Sequence, residues 1–268
     1  MRKAYVSDIS REVFKEIAPL LLSGRKCTQP RKVDVYEMFC VLLYLLKSGC
    51  QWDMLPSDFP CKSTVYYYFK LWKEKPSETE PSLLEQALKN VVGKARTNRG
   101  RNVTTTCMIV DAQSVKNTDT AREKGYDAGK KVSGSKRHIA VDSQGGAHAI
   151  TVTTANVTDK QGALTAFTLH KKSLTRVTNV LADGGYTGAT FATCVNDVLG
   201  ATVEIAKRSE PHTFKVIPKR WLVERSFAWL EKCPNLLKHN TKECDAFIEH
   251  ISGISIDSRS GKYTEHPA

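Results

Sequence analysis

Apolar residues in the first hundred positions recur at three- and four-residue spacing, the period of helices with one buried face. Val13, Phe14, Ile17, Leu20 and Leu21 form the first stripe, with Ser10 or Asp8 placed to cap a helix through Leu22. Pro19 falls inside that stretch and is expected to kink or split it. Asp34 opens a second helix with the stripe Val35, Met38, Phe39, Leu42, Leu43 and Leu46, closed by Gly49. Pro56 and Pro60 mark 51–62 as a loop, after which Ser63 caps a third helix over Thr64 to Lys73. A fourth runs from Pro81 or Ser82 to Ala95.

The polar, basic stretch Arg96 to Arg101 reads as a linker, and the period changes beyond it. Thr104 to Val110 is β-rich and ends in Asp111. Lys136 to Asp142 and His148 to Thr154 alternate in period two around Ser143–Gly146, which predicts a hairpin. Asp159 is placed to cap a helix through His170. Val177 to Ala182 is a short strand ending at Asp183, Ala189 to Leu199 a helix, Thr202 to Ala206 a strand, and Lys219 to Lys232 a last helix. The fold class is therefore mixed α/β (α+β). A small all-helical domain (1–95) and a linker (96–103) precede a domain over 104–256 with its hairpin early, followed by a tail (257–268). An early hairpin fits a ribonuclease H-like sheet rather than a doubly wound parallel one.

A hydrophobic share of 41% is ordinary for a soluble chain, and no stretch approaches the roughly 20 apolar residues of a membrane span. The start, Met1-Arg2-Lys3-Ala4-Tyr5, leads into no apolar core, so a cytoplasmic protein without a secretory leader is expected. The eight cysteines stand singly, none in C-x-x-C, and read as reduced, mostly buried thiols. The net charge of +12 changes the picture more, because such a surplus favours a polyanionic partner. Between Lys207 and Lys242 nine Lys or Arg stand against three Glu, interleaved with Phe214, Trp221, Phe227 and Trp229.

Three carboxylates carry the candidate chemistry. Asp111 and Asp183 each finish an apolar strand, and Glu224 lies on the last helix, where Val223, Phe227 and Leu230 form the core stripe and Arg220 stands one turn earlier. Acidic side chains at adjacent strand ends and on a facing helix can hold the two Mg2+ ions that phosphodiester chemistry uses to stabilise attacking and leaving oxygens. Singly, a strand-end aspartate is most often a turn residue, and an Arg–Glu pair one turn apart a weak surface pair.

These residues lie in motifs that resemble the DDE transposases of bacterial insertion sequences, in the insertion sequence 5 family of the insertion sequence 4-like superfamily. Asp111-Ala-Gln-Ser-Val115, Gly134-Ser-Lys-Arg-His138, Ala182-Asp-Gly-Gly-Tyr186 and Trp221-Leu-Val-Glu-Arg-Ser-Phe-Ala-Trp-Leu230 carry the likeness. So do Ser48-Gly-Cys-Gln-Trp-Asp-Met-Leu-Pro56 and Ser63-Thr-Val-Tyr-Tyr-Tyr-Phe69 near the start. The resemblance covers about residues 5 to 250 and implies a ribonuclease H-like catalytic domain with Asp111, Asp183 and Glu224 as catalytic, metal-binding triad. It matches the family's arginine to Arg220, and Tyr186 follows the second aspartate as in relatives. Ile217 stands where some relatives carry a tyrosine. Glu231 stands where many carry a basic residue, and Lys232 beside it takes that role.

Other signals are weighed against simpler roles. Gly129 to Lys136 nearly spells a phosphate-binding loop, but the required Gly-Lys-Ser/Thr ending is missing. Asp142 and Asp159 suit a hairpin and a helix start rather than a metal. Lys136 and Arg137 begin a strand beside the carboxylates, where contact with the DNA backbone is expected, and His138 reads as structural. In the third helix Val65, Phe69 and Trp72 share one face and Tyr66, Lys70 and Lys73 another, and the helix pair 34–47 and 63–74 resembles a helix-turn-helix variant.

The expected function is a DNA transposase, using Mg2+ (or Mn2+) for strand cleavage and strand transfer. Its expected partners are double-stranded DNA, both terminal inverted repeats and target, and a second copy of itself in the DNA complex. No membrane contact is expected, and the protein is expected in the cytoplasm, at the nucleoid. Arg220, Lys232, Tyr186, Lys136, Arg137, Lys70 and Lys73 are the expected DNA contacts. The alternatives are a catalytically inactive, transposase-derived DNA-binding regulator and a stand-alone ribonuclease H-like nuclease.

Overall fold

Cys107–Lys116 forms the central strand, β1, of a six-stranded sheet. Its first residues are apolar on both sides because both faces of the sheet are covered: Met108 and Val110 belong to one core cluster and Ile109 to the other. The computed structural model describes residues 2–24, 33–77, 80–116, 124–206 and 220–231. The expected basic, aromatic surface over 207–242 lies mostly outside them, as do Lys232 and the tail.

Along one edge, β1 pairs antiparallel with β3 (Val132–Val141), which pairs antiparallel in turn with β4 (Ala147–Thr154) and with the short β2 (Gly125–Asp127). Along the other edge it pairs parallel with β5 (Asn179–Ala182), and β5 with β6 (Thr202–Ile205). Three antiparallel strands followed by two parallel to the first make the ribonuclease H-like arrangement, as the early hairpin predicts. β1 does not stop at Asp111 as its apolar run suggests. Its ladder with β3 continues to the pair Lys116–Gly134, so Asp111 sits mid-strand. The β2–β3 hairpin was not foreseen; Asp127 supports its turn by accepting from the amides of Gly129 and Lys130 (both 3.1 Å).

Helices α5 (Asp159–His170) and α6 (Ala189–Leu199) cover one face. The cap of α5 is Thr158, whose hydroxyl accepts from the Gln161 amide, rather than Asp159. Small residues Gly162, Ala163 and Ala166 bring α5 down onto the sheet, where a methyl on Gly162 would overlap the buried His138 ring. Gly162→Ala should therefore destabilise the protein by about 1–3 kcal/mol through overpacking, read as a lower urea midpoint with an unchanged slope.

The other face carries α1 (Arg11–Ser23), α2 (Val35–Ser48), α3 (Lys62–Lys73), α4 (Leu83–Asn98) and α7 (Arg220–Glu231). One apolar cluster runs from Ile17, Phe39 and Trp72 through Val92 to Ile139 and Val141 of the sheet, and on to Val223 and Phe227. The N-terminal helices thus share a core with the sheet. Helix α4 runs three residues into the expected linker, because Arg96 is buried there: its guanidinium pairs with Asp142 at the β3–β4 turn and donates to Asn102 O (2.8 Å).

Pro19 does not break α1. It lies on the solvent face above exposed Lys15, where the carbonyl left without a donor can reach water, while Phe14, Ile17 and Leu21 anchor the opposite face. Helix α2 is as read, with Asp34 accepting from the Tyr36 amide and Gly49 closing it at φ 69°. Helix α3 starts two residues early, at Lys62, and its buried residues are Val65, Tyr68 and Trp72, with Phe69 half-buried. Of the described cysteines, all free thiols, only Cys40 is fully buried. Among the described residues no helix is long and apolar enough to cross a membrane.

Candidate active site

The β1–β5 register pairs Cys107 with Asn179, Met108 with Val180 and Ile109 with Leu181. Carried two residues further, it brings Asp111 level with Asp183. Alternation puts both on the face of Ile109 and Leu181, the face that α7 covers. A small pocket is lined by Asp111, Asp183, Ala206 and Val223, the neighbour of Glu224 on α7. Both aspartates are half-buried, and Glu224 is exposed.

Local hydrogen bonds orient the aspartates. Asp111 Oδ1 accepts from the Ala112 amide (2.7 Å) and Asp183 Oδ1 from the Gly185 amide (2.9 Å). The glycines after Asp183 allow the tight 3-10 turn Gly184–Tyr186, in which the Tyr186 amide donates to Asp183 O (3.1 Å). Helix α7 is held by buried Val223 and Phe227 of the predicted stripe, by buried Leu222, and by the Ser226 hydroxyl, which donates to Leu222 O (2.9 Å). Leu230 and Arg220 lie on α7, but their side chains fall outside the described residues.

Among the described residues no three His, Cys, Asp or Glu side chains are gathered into a ready metal cage. The donors at the pocket nevertheless fit a hard divalent ion in kind, since they are carboxylate oxygens on neighbouring elements. Tyr186 belongs to the core cluster on the α5 and α6 side, packed on Phe191, and its buried hydroxyl has no hydrogen-bond partner among the described residues.

Three expected DNA contacts are placed differently. Lys136 and Arg137 are 5% and 1% exposed, and Tyr186 is 1% exposed. Lys136 Nζ bridges Asp127 (3.0 Å) and Asp159 (2.9 Å), joining the β2–β3 hairpin to the start of α5. Burial alone would lower the Lys136 pKa, but the two carboxylates outweigh it and raise it. The Ser114 hydroxyl first, and then Lys136, hold the Asp127 carboxyl well below the usual range against the cost of burial. Burial pushes His138 down to about 4, so the ring is neutral in the fold, with Nε2 on the Thr153 hydroxyl (3.0 Å). Lys136 and His138 are thus internal because α5 and the β2–β3 hairpin lie over them, and Arg137 alternates onto the opposite face of β3, that of Ile139. The small face of α5, Gly162-Ala163 and Ala166, was the available signal for that close approach.

Asp142 is no metal ligand either. Its buried carboxylate pairs with Arg96 and His148 (3.1 Å to Nε2) and accepts from the amides of Gln144 (2.8 Å) and Gly146 (3.0 Å). Asp159 is taken by Lys136 and, at 3.8 Å, by Lys130. On α3, Tyr66, Tyr67 and Lys70 are exposed, and Lys73 is half-buried with its ammonium 5.2 Å from the Phe69 ring centre.

The sheet order defines a ribonuclease H-like domain, and family comparison agrees. The family described as transposase DDE domain matches residues 103–256, and a second, described as putative transposase of IS4/5 family, matches residues 9–77. The first match spans more than half of the chain, and the protein belongs to the DDE transposases of the IS4/5 type. Membership implies a DNA transposase that binds DNA and uses a divalent metal. No curated protein matches the chain.

Proposed function

We propose that this transposase binds the terminal inverted repeats of its element and performs strand cleavage and strand transfer at a site made by Asp111, Asp183 and Glu224. The metal is Mg2+, with Mn2+ able to replace it. The observation that supports this most is the shared pocket of Asp111 on β1 and Asp183 just past the end of β5, brought level by the parallel register carried onward, beside the helix that carries Glu224. Bound divalent ions supply Lewis-acid stabilisation of the attacking and leaving oxygens.

The chain's own residues set the geometry. The amides of Ala112 and Gly185 fix the two aspartates, and the buried stripe of α7 holds Glu224 over the edge of β1. Arg220, one turn before Glu224, and Lys232 grip phosphate oxygens. The DNA phosphorus is attacked in line by water, and later by a DNA 3′-hydroxyl, without a covalent protein–DNA intermediate. End recognition falls to the exposed side of α3, where Tyr66, Tyr67 and Lys70 face solvent and Lys73 adds charge. Two copies act together on paired ends, and the protein works at the nucleoid.

The test is incubation of the full chain with duplexes carrying the element's ends. Metal-dependent release of 3′-hydroxyl termini and their joining to target DNA is the expected result. End binding without cleavage in Mg2+ or Mn2+ would favour the inactive regulator instead, and cutting indifferent to the ends the stand-alone nuclease. Affinity should also fall steeply between about 50 and 200 mM salt, because phosphate contacts release counterions. Lys70→Ala should weaken binding and lower the log–log salt slope by about 1 in a fluorescence anisotropy titration. An unchanged slope would remove Lys70 from the interface.

A further inference from the structure

The strand register settles which face the β2–β3 hairpin presents. Asp111 pairs with Ile139, Gln113 with Arg137, and Tyr126 with Ser133. Ile139, Arg137 and Ser133 alternate onto one face of β3, so Tyr126 shares the face of Asp111. The residues between them agree: Asp127 bonds to Ser114 and Lys136, and Lys136 to Asp159 of α5, on the opposite face. Tyr126 is 57% exposed, and Ser133, Lys124 and Lys131 around it are exposed as well.

The hairpin is fastened to the catalytic strand. Lys130 Nζ donates to Ala112 O (3.0 Å), the residue after Asp111. Asp127 is taken by Ser114, Lys136 and the turn amides, which leaves the lysines to set the exposed charge. Lys131 carries a second mark. At φ 53° it alone among the described non-glycine residues has a positive φ. That conformation costs an L side chain energy and glycine little, so a lysine held there suggests a use for its ammonium.

The level of Tyr126 lies six residues of β3 from that of Asp111, Ser133 against Ile139. At the rise of a strand this is about 20 Å. Duplex DNA advances about 3.4 Å per base pair, so DNA with a phosphate at the aspartates that runs along the sheet passes the hairpin about six base pairs away.

We infer that the β2–β3 hairpin is a second, sequence-independent DNA contact, in which Tyr126, Ser133, Lys124 and Lys131 meet backbone phosphates about six base pairs from the scissile one. The inference rests on the proposed function of the site. Its side chains suit backbone rather than bases: Arg, Asn and Gln, whose paired groups read base edges, do not occur between 124 and 133.

The experiment uses the full-length protein and duplexes carrying the element's ends. Wild type, Lys131→Gly and Lys131→Arg are compared by thermal melting and by anisotropy titration over a salt series. Glycine accepts the positive φ, so Lys131→Gly should melt no lower than wild type, while its log–log salt slope falls by about 1. Lys131→Arg should keep the wild-type slope. With the photoreactive p-benzoylphenylalanine in place of Tyr126, crosslinks should fall within one helical turn, about 10 base pairs, of the element's end. Wild type that does not bind the duplex overturns the proposed function and the inference together. Where wild type binds, an unchanged slope in Lys131→Gly overturns the inference alone, and lost self-association at that slope would assign the hairpin to a second copy. Crosslinks that are absent or lie beyond one turn overturn it too, as does a clearly lower melting temperature of Lys131→Gly, since the lysine would then serve the turn.

Discussion

Asp111→Asn, Asp183→Asn and Glu224→Gln should each reduce strand cleavage below detection while leaving DNA binding within a few-fold of wild type. The side chains at issue are two half-buried aspartates on paired strands and an exposed glutamate on the adjoining helix. Each substitution keeps size and one acceptor oxygen, and replaces the other oxygen and its charge, which a divalent ion needs, with an amide donor. Groups that merely orient metal ligands are worth about 10–100-fold, so loss of a ligand itself should exceed about 100-fold. Cleavage of labelled duplex ends over a Mg2+ series, with binding followed in parallel in Ca2+, separates the two effects. Near-wild-type cleavage by any one variant would strike that residue from the site. Equal loss of binding would mean that its role is structural.

The second large effect is expected away from the chemistry. Asp142→Ala should destabilise the protein by about 3–5 kcal/mol, the usual consequence of removing one partner from a buried ion pair. The Asp142 side chain is fully buried, and its loss would strand the Arg96 guanidinium and the amides of Gln144 and Gly146. A drop in the urea midpoint measures it; a change below about 1 kcal/mol would show that Arg96 relaxes to solvent.

The same group sets a pH dependence. Burial raises the Asp142 pKa, but the hydrogen bonds from His148 and Arg96 outweigh it, and the folded carboxyl titrates far below its usual range. Its folded pKa is therefore depressed. The stabilisation is complete above the unfolded value of about 3.9 and is lost as pH falls from there through the folded value. Wild type and Asp142→Ala should differ most above pH 5 and converge in strong acid.

Elements bounded by local chemistry were legible in the sequence. Asp34 and Gly49 delimit α2, and its apolar stripe names its buried side. Ser82, one of the two starts read for α4, likewise caps it. What depended on distant partners was not legible. β1 runs past Asp111 because β3 is there to pair with it, and no residue between 111 and 116 announces that. Lys136-Arg137-His138 reads as a solvated strand edge. The burial of Lys136 depends on Asp127, nine residues before it, and on Asp159, twenty-three after it, both brought in by tertiary contacts.

The candidate site divides in the same way. Strand-end aspartates and a helix-borne glutamate could be named from pattern and resemblance. That Asp111 and Asp183 stand level on adjacent strands required the register. Tyr186 is the clearest case of a residue whose position, though not its orientation, could be read. The glycines before it predict a turn, yet nothing in Asp183-Gly-Gly-Tyr186 tells whether the ring enters solvent or the core.

The continuity of the core across α4 and the β3–β4 turn bears on how such a protein could be retargeted. Exchanging its first hundred residues for those of a relative would cut between Val92 and Gly146, where a single methyl already meets contact, and between Arg96 and Asp142. A donor segment would have to bring matching shapes and charges for a sheet it did not evolve with. On the proposed function, new end specificity is therefore reached by single substitutions on the outward side of α3. There Tyr66, Tyr67 and Lys70 can change without disturbing Trp72, whose indole donates to Leu21 O at 3.0 Å. The molecule is a poor source of interchangeable parts and a good scaffold for gradual drift.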